Sequence, residues 1–127
     1  MVQQLEPVYR NDLVYIEVEP AEIPWLKIFT TDGCKEFSQC SAATRAEVFE
    51  LLHLIELEML DYFKPDKINI ASFANYLPQV HWHIMARYQN DSFFPEPVWG
   101  SRQREASLDL PPMDVFVTGL QQRLHAR

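Results

Sequence analysis

The stretch "PQVHWHIMARY", Pro78 to Tyr88, decides how the rest of the chain is read. It places His81 and His83 two positions apart, around a tryptophan, in a run with strand character. The chain has four histidines in all, so two within three positions call for a physical reason. On a strand, residues two apart project to one face. Gln79, His81 and His83 then share a side, and Val80, Trp82 and Ile84 form the apolar side that meets a core. The polar side must face water or a ligand, or find a partner for each polar atom.

Working outward, "KINIASF" (Lys67 to Phe73) reads as a strand joined to the histidine strand by "ANYLP". Further upstream, "LVYIEVE" (Leu13 to Glu19) and "WLKIFTT" (Trp25 to Thr31) read as two antiparallel strands around the turn "PAEIP". "DGCKEFSQC" is a loop with a turn signal at Asp32–Gly33. Ser41 suits a helix N-cap, and "AATRAEVFELLHLIELEMLDYF" after it has neither Gly nor Pro. Val48, Leu51, Leu52, Ile55 and Leu57 to Met59 supply its apolar face, and Lys64 before Pro65 ends it. "QNDSFFPEPVWGSRQREASLDLPP" reads as an ordered loop or arm. A last helix is expected from about Met113 to His125, with Val115, Phe116, Leu120 and Leu124 inward. Strands gathered around one long helix indicate an α+β fold on an antiparallel sheet.

Bulk properties narrow the function classes. At 127 residues, 47% hydrophobic and 23% charged, the chain suits one domain with a core of its own. A net charge of −7 argues against a surface for nucleic acid or anionic membrane. No apolar run approaches a membrane span, and "MVQQLEPVYRND" lacks the basic start and apolar core of a leader, so a cytoplasmic protein is expected. The three glycines are dispersed, which excludes a P-loop or a dinucleotide fingerprint. Cys34 and Cys40 read as two ordinary thiols near a loop, with a disulfide or a zinc site as the less favoured alternatives.

Four readings of the histidine pair stay open on spacing alone. The residues suit a polar surface of a sheet. They suit two ligands of a metal ion, although His53 and His125 lie elsewhere and no carboxylate stands at an obvious third position. They suit a nucleophile, because a neutral imidazole attacks phosphorus near pH 7 when a carbonyl holds its far N–H. They also suit a nucleotide-binding face without chemistry.

The longer stretch "NIASFANYLPQVHWHIMARY" followed by "FFPEPVWG" resembles the histidine triad (HIT) family of nucleotidyl hydrolases and transferases. It is most similar to the bacterial branch described as diadenosine tetraphosphate hydrolase-like, and "IPWLKIFTT" resembles that branch's "FPWLILVP". The resemblance spans about Leu13 to Gly100, the core of a single domain covering 1–127, with a C-terminal arm and helix from about 101. It implies a sheet of about five strands and a homodimer joined edge to edge. It implies that His81 is the nucleophile at the α-phosphate of a dinucleoside polyphosphate or nucleoside phosphoramidate. His83 then steadies phosphate oxygens, and Gln79 stands at the triad's first histidine. Asn69 and Asn75 fall at the family's polar phosphate or ribose contacts; Arg87, on the histidine face by alternation, and Trp99, against the pocket or a partner subunit, are further candidate substrate contacts. Arg87 suits a phosphate contact or a solvated strand end, Asn75 suits a turn, and Trp99 suits packing. No cofactor is implied, and no metal is needed as a Lewis acid. The rival reading is a catalytically weak nucleotide-binding or sensing module on the same fold.

Overall fold

The structure, a computed structural model, describes residues 6–127. The start of the lead segment on which the leader expectation rests, residues 1–5, lies outside the described residues. The elements run β1 (Tyr9–Arg10), β2 (Val14–Val18), β3 (Trp25–Thr30), a 3₁₀ turn (Phe37–Gln39), α1 (Ala42–Phe63), β4 (Lys67–Ala71), β5 (His81–Arg87) and α2 (Met113–His125). The five strands form one antiparallel sheet in the order β1-β2-β3-β5-β4, so the histidine strand lies inside the sheet. This is the α+β architecture expected. No helix among the described residues is long and apolar enough to cross a membrane.

Local chemistry accounts for the helix ends. Ser41 Oγ accepts the Thr44 N–H at 3.1 Å, a side-chain cap on a donor that the helix itself leaves free. Lys64 closes the other end at φ 51°, ψ 49°; Pro65 after it disfavours a further α-helical residue. The buried face of α1 is Val48, Leu51, Leu52, Ile55, Met59 and Phe63. Leu57, expected inward, is exposed, because the stripe steps from Ile55 to Met59 and leaves Leu57 on the far side. In α2, Phe116, Leu120 and Leu124 are buried, but Val115 points to solvent. Phe116 packs 4.8 Å from Phe63, which lays α2 along the end of α1.

The core lies between α1 and one face of the sheet. Val14, Ile16, Leu26, Ile28, Trp82, Ile84 and Ala86 supply the sheet side. The β3–β5 register pairs Leu26 with Ile84 and Ile28 with Trp82 on that face. Alternation then puts Trp25, Lys27 and Phe29 on the opposite face, where Lys27 stands across from His83 and Phe29 across from His81.

The cysteine expectation is corrected: Cys34 and Cys40 are paired as a disulfide, with Cα atoms 5.9 Å apart. The turn at Gly33, with φ +66°, and the 3₁₀ turn bring the two ends of the loop together. The loop is also fastened to the histidine segment, since the Val80 N–H donates to the Cys34 carbonyl at 2.8 Å.

Candidate functional site

Both histidines are covered on the face away from α1: His81 is 8% and His83 7% exposed. They line a hollow of about 630 Å³ with Lys27, Phe29, Phe73, Ala74, Asn75, Tyr76, Leu77 and Trp99. Three parts of the chain build it. Strands β3 and β5 provide the floor, the β4–β5 connection one wall, and the loop after β5 brings in Trp99.

The His81 ring is held from two sides. Its Nδ1 lies 2.8 Å from the Gln79 carbonyl oxygen, so the ring donates there, and in the neutral ring the lone pair is on Nε2. Phe29 stacks on it at 5.0 Å and 26°, which fixes the plane of the ring. The Ser72 hydroxyl donates to the His81 carbonyl at 2.7 Å and ties the wall to the strand.

His83 is anchored differently. The Trp25 indole N–H donates to its Nδ1 at 3.0 Å. Trp99 and His81 each meet the ring edge-on at 5.0 Å. Burial above all, then the neighbouring His81 and Lys27, push its pKa down to about 4, so it is neutral at pH 7. The charge at the site comes instead from Lys27, whose ammonium sits 3.2 Å from Glu19 and above the Phe29 ring.

The structure gathers some of the expected residues and not others. Asn75 and Trp99 line the hollow with the histidines; Trp99, 45% exposed, packs on Phe73 at 4.5 Å and Trp25 at 5.5 Å. Strand β5 begins at His81, so Gln79 precedes it rather than continuing its face. Its contact with His81 is made by the main chain, while its side chain lies over Gly33, where a β-carbon would come within 3.4 Å of Gln79 Cδ.

Arg87 and Asn69 lie apart from the hollow and bind each other. Arg87 is 1% exposed, which excludes a solvated strand end. It donates to Asp91 at 2.9 and 3.1 Å, to Asn69 Oδ1 at 2.8 Å and to the Glu96 carbonyl at 2.8 Å. Asp91 in turn accepts the N–H groups of Tyr88, Phe93 and Phe94. Burial raises the Asp91 pKa, but these donors, Arg87 foremost, overcome it and hold the carboxyl at about 2. Together they brace the turn that carries Trp99. Asn69 also borders a neighbouring hollow of about 410 Å³, with Pro97, Val98 and Trp99.

The sequence reading did not single out Trp25, Lys27, Phe29 or Phe73. Lys27 left one signal, as the only charge inside "WLKIFTT". Among the described residues no three His, Cys, Asp or Glu side chains gather as a candidate ligand set for a metal ion.

Comparison with known proteins agrees with this fold. The model of the family described as HIT domain matches residues 3–90. The chain is similar to a histidine triad protein from Bradyrhizobium japonicum, at 27% identity over 92% of this chain and 88% of that one, with a TM-score of 0.74. Histidine triad proteins from Sinorhizobium meliloti 1021 and Marinobacter aquaeolei VT8 are similar in fold. The first is 23% identical over 94% of this chain and 87% of its own, with a TM-score of 0.71. The second is 22% identical over 95% and 86%, with a TM-score of 0.70. No curated protein matches the chain.

Proposed function

Because the chain belongs to the HIT domain family, we propose that it binds a nucleotide conjugate in this hollow and transfers the nucleotidyl group to water through His81. The substrate class is a dinucleoside polyphosphate or a nucleoside phosphoramidate, the chemistry of the diadenosine tetraphosphate hydrolase-like branch. The observation that carries the proposal is the 2.8 Å contact between His81 Nδ1 and the Gln79 carbonyl. It fixes the proton of the neutral ring on Nδ1 and turns Nε2, in a ring that lines the pocket, into the atom with the free lone pair of that form, the one a nucleophile uses.

In the first step Nε2 attacks the α-phosphorus, an N–P bond forms, and the P–O or P–N bond to the leaving group breaks as that group departs with a proton taken from solvent. The substituted ring keeps its Nδ1–H on the Gln79 carbonyl, which stabilises the imidazolium. Water then attacks phosphorus, the N–P bond breaks, and a proton is released with the nucleoside monophosphate. Only the main chain of Gln79 is required for this orientation, so a glutamine at the triad's first position is compatible with turnover. Lys27 and His83 face the phosphate oxygens, Asn75 stands at the mouth, and Phe29, Phe73 and Trp99 offer apolar surface to a planar base. Asn69 and Arg87 act at one remove, by holding the turn of Trp99.

A second copy of the chain is expected to pair along the exposed edge of β4, where Ile70 is 48% exposed. Light scattering behind a sizing column reads the mass directly.

The test of the reaction is hydrolysis of diadenosine tetraphosphate or a fluorogenic adenosine phosphoramidate by wild type and His81→Ala. Wild type is expected to turn over and His81→Ala to fall to background. Equal inertness of both, with both still binding AMP, would leave the nucleotide-binding module as the correct reading.

A further inference from the structure

We propose that Trp25 is a positioning residue for this site: its indole N–H fixes His83 as a neutral ring whose Nε2 carries the proton and acts as a hydrogen-bond donor. The inference rests on the nucleotidyl-transfer reading for its consequence, but its geometry is independent of it. An indole nitrogen is a donor only. Its 3.0 Å approach to His83 Nδ1 therefore makes Nδ1 the acceptor and leaves the single proton of the neutral ring on Nε2.

The neighbouring histidine is set the other way. His81 Nδ1 faces a carbonyl oxygen, an acceptor only, and must carry the proton itself. In their neutral forms, two imidazoles 5.0 Å apart on one strand are thus held in opposite tautomers, one offering a lone pair and the other an N–H. Attack on a phosphoryl group needs both: a nucleophile, and a donor for charge that develops on oxygen.

Trp25 also excludes the charged form. An imidazolium donates from both nitrogens, so a protonated Nδ1 would point its hydrogen at the indole N–H. The groups facing the ring agree. Lys27 on β3, itself paired with Glu19, repels a further positive charge, His81 on β5 adds to that only when it is itself protonated, and Trp99 and Phe73 close the aromatic side. Burial and those two neighbours hold the His83 pKa at about 4. Trp25 reaches His83 diagonally, since its direct cross-strand partner is Met85, a span that a long aromatic side chain covers.

The experiment is long-range ¹H–¹⁵N correlation of the histidine rings in the full ¹⁵N-labelled chain, with Trp25→Phe beside wild type. Phenylalanine retains an aromatic ring and removes the donor. In wild type at pH 7, His83 is expected to be the Nε2–H tautomer and His81 the Nδ1–H tautomer. In Trp25→Phe the His83 Nδ1 resonance is expected to shift toward a mixture of tautomers, with its titration moving up toward the ordinary histidine range. A kcat loss of about tenfold, with KM changed less, is the expected kinetic effect of one hydrogen bond. A wild-type His83 protonated on Nδ1, or on both nitrogens at pH 7, overturns the proposal without any variant. So does a Trp25→Phe spectrum unchanged at His83. The ring spectrum does not depend on turnover, so inert wild type and His81→Ala would defeat only the reaction.

Discussion

Replacing Asp91 with asparagine is expected to destabilise the protein strongly and to do so in a pH-dependent way. The carboxylate is 1% exposed, meets Arg87 through two oxygens and accepts three backbone N–H groups. Its pKa, about 2 in the folded chain against an ordinary 3.8, corresponds to about 2 kcal/mol of stability at neutral pH. Leaving Arg87 without its counter-charge brings the total, that share included, to the lower end of the range of about 3–5 kcal/mol that removing one partner of a buried pair costs. A loss of about 3 kcal/mol lowers Tm by about 10 °C in a domain of this size. Because the folded pKa is depressed, the contribution is complete above pH 4 and fades as pH falls toward 2. Urea titrations of wild type and Asp91→Asn at intervals from pH 7 to pH 2 check this. The two stabilities should be well separated at pH 7 and converge below pH 4. A gap under 1 kcal/mol at pH 7, or one that stays constant to pH 2, would refute the reasoning.

Three further outcomes are expected. Between pH 6.5 and 4 the unfolded chain takes up a proton that the covered His83 refuses, so stability falls by up to about 3 kcal/mol over that window. His83→Asn should flatten this part of the stability profile, and an equally steep profile in the variant would contradict it. Lys27→Met should weaken binding of AMP about tenfold at low salt and reduce its salt dependence, measured by calorimetry; unchanged affinity would remove Lys27 from the phosphate site. Reducing the Cys34–Cys40 disulfide, which closes a short loop of separation 6, should cost about 2 kcal/mol and lower Tm by several degrees. A melting curve indifferent to dithiothreitol would show that this bond contributes nothing.

The parts legible in the sequence were those set by local chemistry. Ser41 and Pro65 bracket α1 at nearly the residues observed, and alternation around His81 and His83 separates Trp82 and Ile84 from the histidine face. What depended on tertiary pairing was hidden. The two-residue strand Tyr9–Arg10 is too short to show a period, and it exists because β2 offers it an edge. Trp25, Lys27 and Phe29 become site residues only through the β3–β5 register, which no window of sequence contains. Arg87 could be read as solvated or substrate-facing because its partner Asp91 lies beyond the strand, in a segment read only as a loop. Cys34 and Cys40 offered spacing and no geometry, and the pairing came from the turns between them.

The β3–β5 register divides the chain's mutational latitude unevenly. Leu26, Ile28, Trp82 and Ile84 hold the two strands in phase from the α1 side, and a slip of β5 by one residue would turn Trp82 and Ile84 toward the pocket and the histidines into the core. Changes there put the fold and the chemistry at risk together. Lys27, Phe73 and Trp99 carry no such burden, so ligand preference can drift through them while the scaffold stays as it is.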